Sequence, residues 1–212
     1  HVAPVEYEVD VGYPGAPVSA DAEGAQTPRR MLHAFARHPL FRDWATGGQV
    51  KQVLSRLFGT DDVALSQCHH NCIMTKHPGY SSATLWHQDN RYWSFDQENL
   101  ISVWLALGSE TRANGCLRVI PGTHRTHIPP GRFDAALFLR TDLEANKTLL
   151  GQAVPCELEP GDVLFFHSKL FHAAGRNRTP DIKLSLVFTY HEGSNRPIDN
   201  TRSARFPGVS LA

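Results

Sequence analysis

Cysteine is scarce in this sequence. The four residues Cys68, Cys72, Cys116 and Cys156 include no Cys-x-x-Cys pair, and they are too few to staple a chain of 212 residues. A disulfide scaffold is therefore excluded, and reduced thiols in a cytoplasmic setting are the expectation. A charge of one sign is lacking as well. Lys+Arg and Asp+Glu are balanced at 21 each, so no overall field draws the chain to nucleic acid or anionic lipid. No apolar run approaches the roughly 18 residues of a membrane span, and the N-terminus shows no secretory-leader pattern. Hydrophobic residues at 41% and charged residues at 20% describe an ordinary globular chain with one core. Histidine, with 12 copies, is abundant enough to make a metal site worth seeking.

Along the chain, the first 27 residues are rich in Pro, Gly and Ala and read as loop. Thr27-Pro28 offers a cap and a first-turn proline, so a helix is expected through Met31, Leu32 and Phe35, with Pro39 breaking or restarting it. A second helix fits Gln49 to Phe58, with Val50, Val53, Leu54 and Leu57 on one side and Gly59 as its stop. From residue 63 the pattern changes to short β-branched and aromatic runs separated by Gly, Pro, Asn and Asp. These are Val63–Thr75, Leu85–His87, Leu100–Leu107, Leu117–Ile120, Gln152–Glu157, Val163–Phe166 and Lys183–Tyr190. Such spacing predicts a mainly β sandwich or barrel with flanking helices. The expected organisation is one domain over 1–212: a loop and helical part at 1–62, a β core at 63–192 and a tail at 193–212.

Trp86-His87-Gln88-Asp89-Asn90 carries the first chemical signal. Residues i and i+2 of an extended strand project to one face about 7 Å apart, so His87 and Asp89 can converge on one metal. An imidazole and a carboxylate make two-thirds of the facial triad that holds non-haem Fe(II). The same pair is also a common surface contact, and His-x-Asp alone decides nothing. The second signal lies downstream, where Glu159-Pro160-Gly161-Asp162 turns into an apolar strand that delivers His167 and then His172. On the last long strand Lys183, Ser185, Val187 and Thr189 share one face, and Leu184, Leu186, Phe188 and Tyr190 share the other. An ammonium on an inward face needs a partner, and a dicarboxylate co-substrate would supply one. Cys68, His69, His70 and Cys72 resemble a metal cluster only at first sight. They sit in the alternating run Val63 to Met74, where neighbours point to opposite faces, so core and surface strand residues are expected.

With these segments in hand the chain resembles the phytanoyl-CoA dioxygenase family, within the 2-oxoglutarate oxygenases of double-stranded β-helix (jelly-roll, cupin-like) fold. The matching stretches are Lys76-His77-Pro78-Gly79, Trp86 to Asp89 with Tyr92-Trp93, Ser102 to Leu107, Asn114 to His124, and Gly161 to Gly175, in family order over most of 63–190. The resemblance implies Fe(II), 2-oxoglutarate and O2 as cofactors and co-substrates. It implies His87, Asp89 and His172 as catalytic metal ligands, with His172 preferred to His167 because small residues follow it. It also implies co-substrate contacts at Gln88, Trp104 and Cys72. Where relatives carry an arginine clamp this chain has Lys183, which keeps the charge but loses the fork. Ser185 is expected to assist it, with Arg176 and Arg178 as substitutes nearby. Where halogenating relatives have a small residue the chain has Asp89, which implies hydroxylation of a C–H bond of a small-molecule metabolite, with release of succinate and CO2.

The rival outcomes are desaturation or ring formation with the same cofactors, an inactive cupin-like binding protein, and zinc at the same triad. Arg91, Tyr92 and Trp93 are expected on the substrate side, and residues 90–99 and 123–150 as lids. His124, Arg125 and His127 are expected to face solvent. The resemblance further implies that the chain starts inside the usual family domain. Substrate and oligomeric state are not legible.

Overall fold

The computed structural model describes residues 4–211. Its strands are β1 (Val5–Tyr7), β2 (Pro28–Leu32), β3 (Val63–Ser66), β4 (Cys72–Lys76), β5 (Thr84–His87), β6 (Leu100–Ala106), β7 (Leu117–Val119), β8 (Val154–Pro155), β9 (Val163–His167), β10 (His172–Ala174), β11 (Lys183–Glu192) and β12 (Val209–Ser210). The α-helices are α1 (Ala34–Arg37), α2 (Pro39–Ala45), α3 (Gly48–Phe58) and α4 (Glu144–Leu150).

Two antiparallel sheets face each other, as in a jelly roll. The larger is organised around β11, which pairs with β4 and β3 along one edge and with β6 along the other; β9 continues from β6, and β2 and β1 from β4. The smaller runs β5-β10-β7-β8. The alternation expected for the last strand holds. Leu186, Phe188 and Tyr190 join Val103, Ile73 and the helix residues Ala45, Val50 and Leu54 in the outer core. The Tyr190 hydroxyl donates to the Ala45 carbonyl at 2.7 Å, which ties α2 to that face. Val187 instead packs inside with Cys72, Trp104, Leu117 and Phe166. Helix α3 forms where expected, with Gly59 at φ 76° accepting the left-handed cap, but of its expected apolar side only Val50 and Leu54 are buried, while Val53 and Leu57 are exposed.

Four expectations are corrected. Residues 28–32 form a strand rather than a helix. Met31 packs on the outer core and Leu32 on the inner one, a period of two that sheet pairing with β4 enforces over local helix signals. Only after His33, at φ 56°, does a single helical turn begin, and Pro39 restarts the chain as α2. The run from Val63 to Thr75 is two strands, not one: residues 67–71 leave the sheet between β3 and β4, which both pair with β11. The first 27 residues include β1, and the Glu8 side chain is fully buried against Arg29. Finally, the tail adds β12 beside β3 and seats Leu211 in the outer core.

The turn signal at Asn114-Gly115 has a steric cause. Gly115 adopts φ 81°, and a Cβ there would meet the Gly175 carbonyl oxygen at 2.5 Å. Only glycine lets this turn approach the segment that follows β10.

Candidate metal centre

His172 on β10 is the direct cross-strand partner of His87 on β5. Residues in such register share a face, and the two rings lie with centroids 4.3 Å apart. Asp89 follows β5 by two residues, at the start of a short 3-10 turn (Asp89–Tyr92) rather than on the strand itself. One donor atom from each of His87, Asp89 and His172 lies within 4.8 Å of the others, and all three residues are buried.

The detail of the hydrogen bonding fits a cation. The Nδ1 of His87 contacts the Leu85 carbonyl at 2.8 Å, and that of His172 contacts the Leu170 carbonyl at 3.0 Å. A carbonyl only accepts, so each Nδ1 carries the proton and each Nε2 offers its lone pair inward. Burial first, and then His172, lowers the pKa of His87 to about 3, keeping its ring in the neutral form that binds metals. Asp89 Oδ1 lies 3.7 Å from His87 Nε2 and 3.5 Å from His172 Nε2, and it is buried without any hydrogen bond. Metal–ligand bonds of about 2.1 Å separate neighbouring ligand atoms by roughly 3.0–3.4 Å, so this gap suits an ion. Burial raises the Asp89 pKa, but His70, His172, His87 and the Ser102 hydroxyl outweigh it and hold the carboxyl below its usual range.

His167 is not in this cluster; its Nδ1 accepts from the Lys169 amide at 3.0 Å, and burial lowers it to about 4. His70 was missed by sequence reasoning. Because the chain leaves the sheet at 67–71, its Nε2 comes to 3.6 Å from Asp89 Oδ1 and its Nδ1 to 3.3 Å from Ser102 Oγ. Ser102 in turn donates to Asp89 Oδ2 at 3.2 Å.

A cavity of about 620 Å³ opens from the triad between the two sheets. Cys72, Trp104 and Lys183 line it, as do Tyr92 and Trp93. Burial raises the Cys72 thiol to about 12, so it is a neutral wall. Gln88 does not line the cavity; its Nε2 donates to the Lys169 carbonyl at 2.6 Å. Arg91 stacks on the Phe138 ring at 3.7 Å and lies outside the lining. Arg176 donates to the Ser81 and Gly79 carbonyls, away from Lys183. His124, Arg125 and His127 do not line the cavity either.

The partner that a buried Lys183 requires is within the chain. Its Nζ donates to Glu110 Oε2 at 3.0 Å and to Ser185 Oγ at 2.9 Å; Ser185 Oγ donates to Glu110 Oε1 at 2.6 Å, and Trp104 Nε1 donates to the same oxygen at 2.8 Å. Burial lowers the lysine's pKa, and Glu110 opposes that shift. Glu110 sits in a Gly- and Asn-rich turn, where an acidic residue ordinarily faces solvent. The need for a counter-charge was legible in the sequence, but which carboxylate met it was not.

A buried two-histidine, one-carboxylate centre inside a jelly roll defines the class: a mononuclear metal site of the non-haem oxygenase type. The chain belongs to the phytanoyl-CoA dioxygenase (PhyH) family, whose model matches residues 15–185. Phytanoyl-CoA dioxygenase 1 of Oryza sativa subsp. japonica is 28% identical over 175 residues, covering 82% of this chain and 61% of that protein. The peroxisomal phytanoyl-CoA dioxygenase of Homo sapiens is 32% identical over 128 residues, 55% of this chain and 37% of that protein. Among solved structures, EctD from S. alaskensis with 2-oxoglutarate and 5-hydroxyectoine superposes with a TM-score of 0.71 at 25% identity, covering 86% of this chain and 64% of that one. The carbocyclase SnoK from nogalamycin biosynthesis shares the fold at a TM-score of 0.69 and 19% identity, covering 86% and 76%. The chain spans 55–61% of the length of three curated relatives.

Proposed function

We propose that this chain is an Fe(II)- and 2-oxoglutarate-dependent dioxygenase that hydroxylates a C–H bond of a small-molecule metabolite. The observation that carries the reading is the Asp89 carboxylate. It is buried, lacks any hydrogen bond at Oδ1, and faces two imidazole Nε2 atoms whose other nitrogens are tied to backbone carbonyls. Family membership, and the 2-oxoglutarate named with the EctD structure, support the same conclusion.

His87, Asp89 and His172 would hold the iron, and iron bound there supplies dioxygen activation coupled to decarboxylation of the 2-oxo acid. The chain's own part is positional. The strand register sets the two imidazoles side by side, the Leu85 and Leu170 carbonyls fix their tautomers, and Ser102 orients the carboxylate. Tyr92, which packs edge-on against His87, and Trp93 help to wall the cavity. A carboxylate at position 89 rather than a small residue supports hydroxylation. Desaturation or cyclisation would use the same ligands, and product analysis distinguishes them.

We also take the chain as one oxygenase domain with a small-molecule substrate and no nucleic-acid or membrane partner. Among the described residues no helix is long and apolar enough to cross a membrane. The four free cysteines support a reducing, cytoplasmic setting. The test is anaerobic loading with Fe(II), followed by 2-oxo acid and oxygen. Stoichiometric iron and succinate release are expected. Failure of the wild type to retain iron and to release succinate would overturn the reading.

A further inference from the structure

The lysines and arginines that line the cavity divide by their partners. Arg29 pairs with Glu8 at 3.3 Å, Arg30 with Glu6 at 3.0 Å and Lys183 with Glu110 at 3.0 Å. Lys76 donates to the Ser82 carbonyl. Among the described residues no carboxylate is paired to Lys76, Arg202 or Arg205, which line the same cavity. We propose that Arg202 and Arg205 form a second anion site at the cavity rim, which holds the primary substrate by a carboxylate or phosphate. This rests on the dioxygenase reading and deepens it, because it makes the substrate a small organic oxyanion.

Three observations carry it. First, the unpaired cations stand at opposite ends of β4, along which the chain rises about 13 Å from Cys72 to Lys76. Lys76 closes the strand and is the cross-strand neighbour of Lys183, and both are buried. Arg202 and Arg205 are exposed, and their turn packs on residues 67–71, which precede the strand. The triad adjoins that same loop, since His70 Nε2 lies 3.6 Å from Asp89 Oδ1. 2-Oxoglutarate has two acidic ends, one for the triad and one for the buried lysines. The rim arginines are left for a different ligand.

Second, the turn that carries them is anchored. Ser203 is buried between them; its Oγ accepts from the Ser94 amide at 2.8 Å and lies 2.7 Å from His69 Nε2. The Phe206 amide donates to Cys68 Sγ at 3.2 Å, and Gln67 Nε2 donates to the Pro207 carbonyl at 2.9 Å. Side chains on a fixed backbone lose less freedom when a ligand arrives. Third, the two are spaced to act together and no acid of the wall answers them. They stand at i and i+3 across a 3-10 turn, a spacing that sets side chains on one side. Glu6 is taken by Arg30, and Asp10 accepts from the Tyr7 amide at 2.8 Å. Tyr7 is registered with Pro28, and Leu32 with Cys72, so Asp10 leaves β1 at the Lys76 end of the sheet. Paired guanidiniums without a counter-charge match an oxyanion, which accepts parallel hydrogen bonds.

The experiment uses the anaerobic protein loaded with Fe(II) and saturated with 2-oxoglutarate, so that the triad and the buried lysines are occupied. Calorimetry then measures three probes of one carbon skeleton: hexanoate, hexyl phosphate and hexanamide. At least one of the two anions is expected to bind about tenfold tighter than the amide, the weight of one charge-assisted contact. The tighter anion assigns the class, carboxylate or phosphate. Arg202→Gln combined with Arg205→Gln is expected to remove the preference and to leave the affinities for hexanamide and 2-oxoglutarate unchanged. Equal binding of the three probes, no binding of either anion at about 10 mM, or a preference that survives the double change overturns the proposal alone. An equal loss of 2-oxoglutarate affinity in the double variant also overturns it, because the arginines then serve the co-substrate. A wild type that binds neither Fe(II) nor 2-oxoglutarate overturns it together with the dioxygenase reading. Both positions are exposed, so the fold should hold by circular dichroism; if it does not, the three probes on the wild type decide.

Discussion

Two buried polar clusters face the same cavity, and they are opposites. At the triad, Asp89 Oδ1 is encircled by imidazole nitrogens at 3.5–3.7 Å and has no proton donor. At the other cluster, Glu110, Lys183, Ser185 and Trp104 satisfy one another at 2.6–3.0 Å. Ser102 satisfies Oδ2, but Oδ1 is buried without a hydrogen bond, which is costly, so the first cluster is left incomplete in a way a cation would complete. The second is complete without a ligand. Openness marks where a cation belongs, and closure marks a pair that the chain completes by itself.

The largest expected effect comes from attacking the open cluster. Asp89→Ala or His172→Ala should abolish stable Fe(II) retention, a greater loss than the about 10–100-fold seen when a residue merely supports a ligand. For Asp89→Ala the thermal midpoint of the metal-free protein should hold or rise, because a carboxylate oxygen buried without a hydrogen bond is gone. Elemental analysis and a melting curve check both, and a metal-free variant much less stable than wild type would break the contrast.

Next, the closed cluster should respond in the opposite sense. Lys183→Met leaves Glu110 buried without its counter-ion and should cost about 3–5 kcal/mol, whereas the double change Lys183→Met with Glu110→Met should recover most of that. Urea unfolding of the single and double variants measures it; simple additivity would show that the two residues are not a unit. A smaller effect is expected at Ser102, which orients Asp89. Ser102→Ala should weaken Fe(II) by about tenfold, at the low end for such a supporting bond, with the fold intact by circular dichroism.

A last effect, read in pH, sharpens the comparison at Lys76, an inner-wall cation with no carboxylate paired to it among the described residues. Burial lowers its pKa from 10.5 to about 7. Below pH 7 it is charged in both folded and unfolded chains, and the burial penalty is fully present. As pH rises from about 7 toward 10.5 the folded chain sheds the proton first, so stability should increase, by at most about 1.4 kcal/mol per pH unit. Lys76→Met should flatten that slope, as read from unfolding midpoints at pH 7 to 9.

Much of this was readable from residue order. The β-rich core, the helix ending at Gly59, and the convergence of His87, Asp89 and His172 follow from local pattern and motif. What was not readable depended on which edge pairs with which. Met31 and Leu32 look like one helical face until β4 draws them to opposite sides of a sheet. His70 looks like a strand residue until the chain breaks at 67–71 and swings it beside Asp89. Glu110 looks like a turn acid until its bridge to Leu158 carries it inward. In each case a long-range contact overrides a correct local inference.

Strand β11 alternates between the two worlds it separates: Leu186, Phe188 and Tyr190 anchor the helices, while Lys183, Ser185 and Val187 turn to the inner side, where Lys183 lines the cavity. Adjacent positions therefore answer to different selective demands. One set decides whether the chain stays folded, the other what the pocket admits. A change at Lys183 or Ser185 meets the inner polar cluster, while the outer scaffold one residue away keeps its own contacts. The independence of the two faces is thus a by-product of pleating.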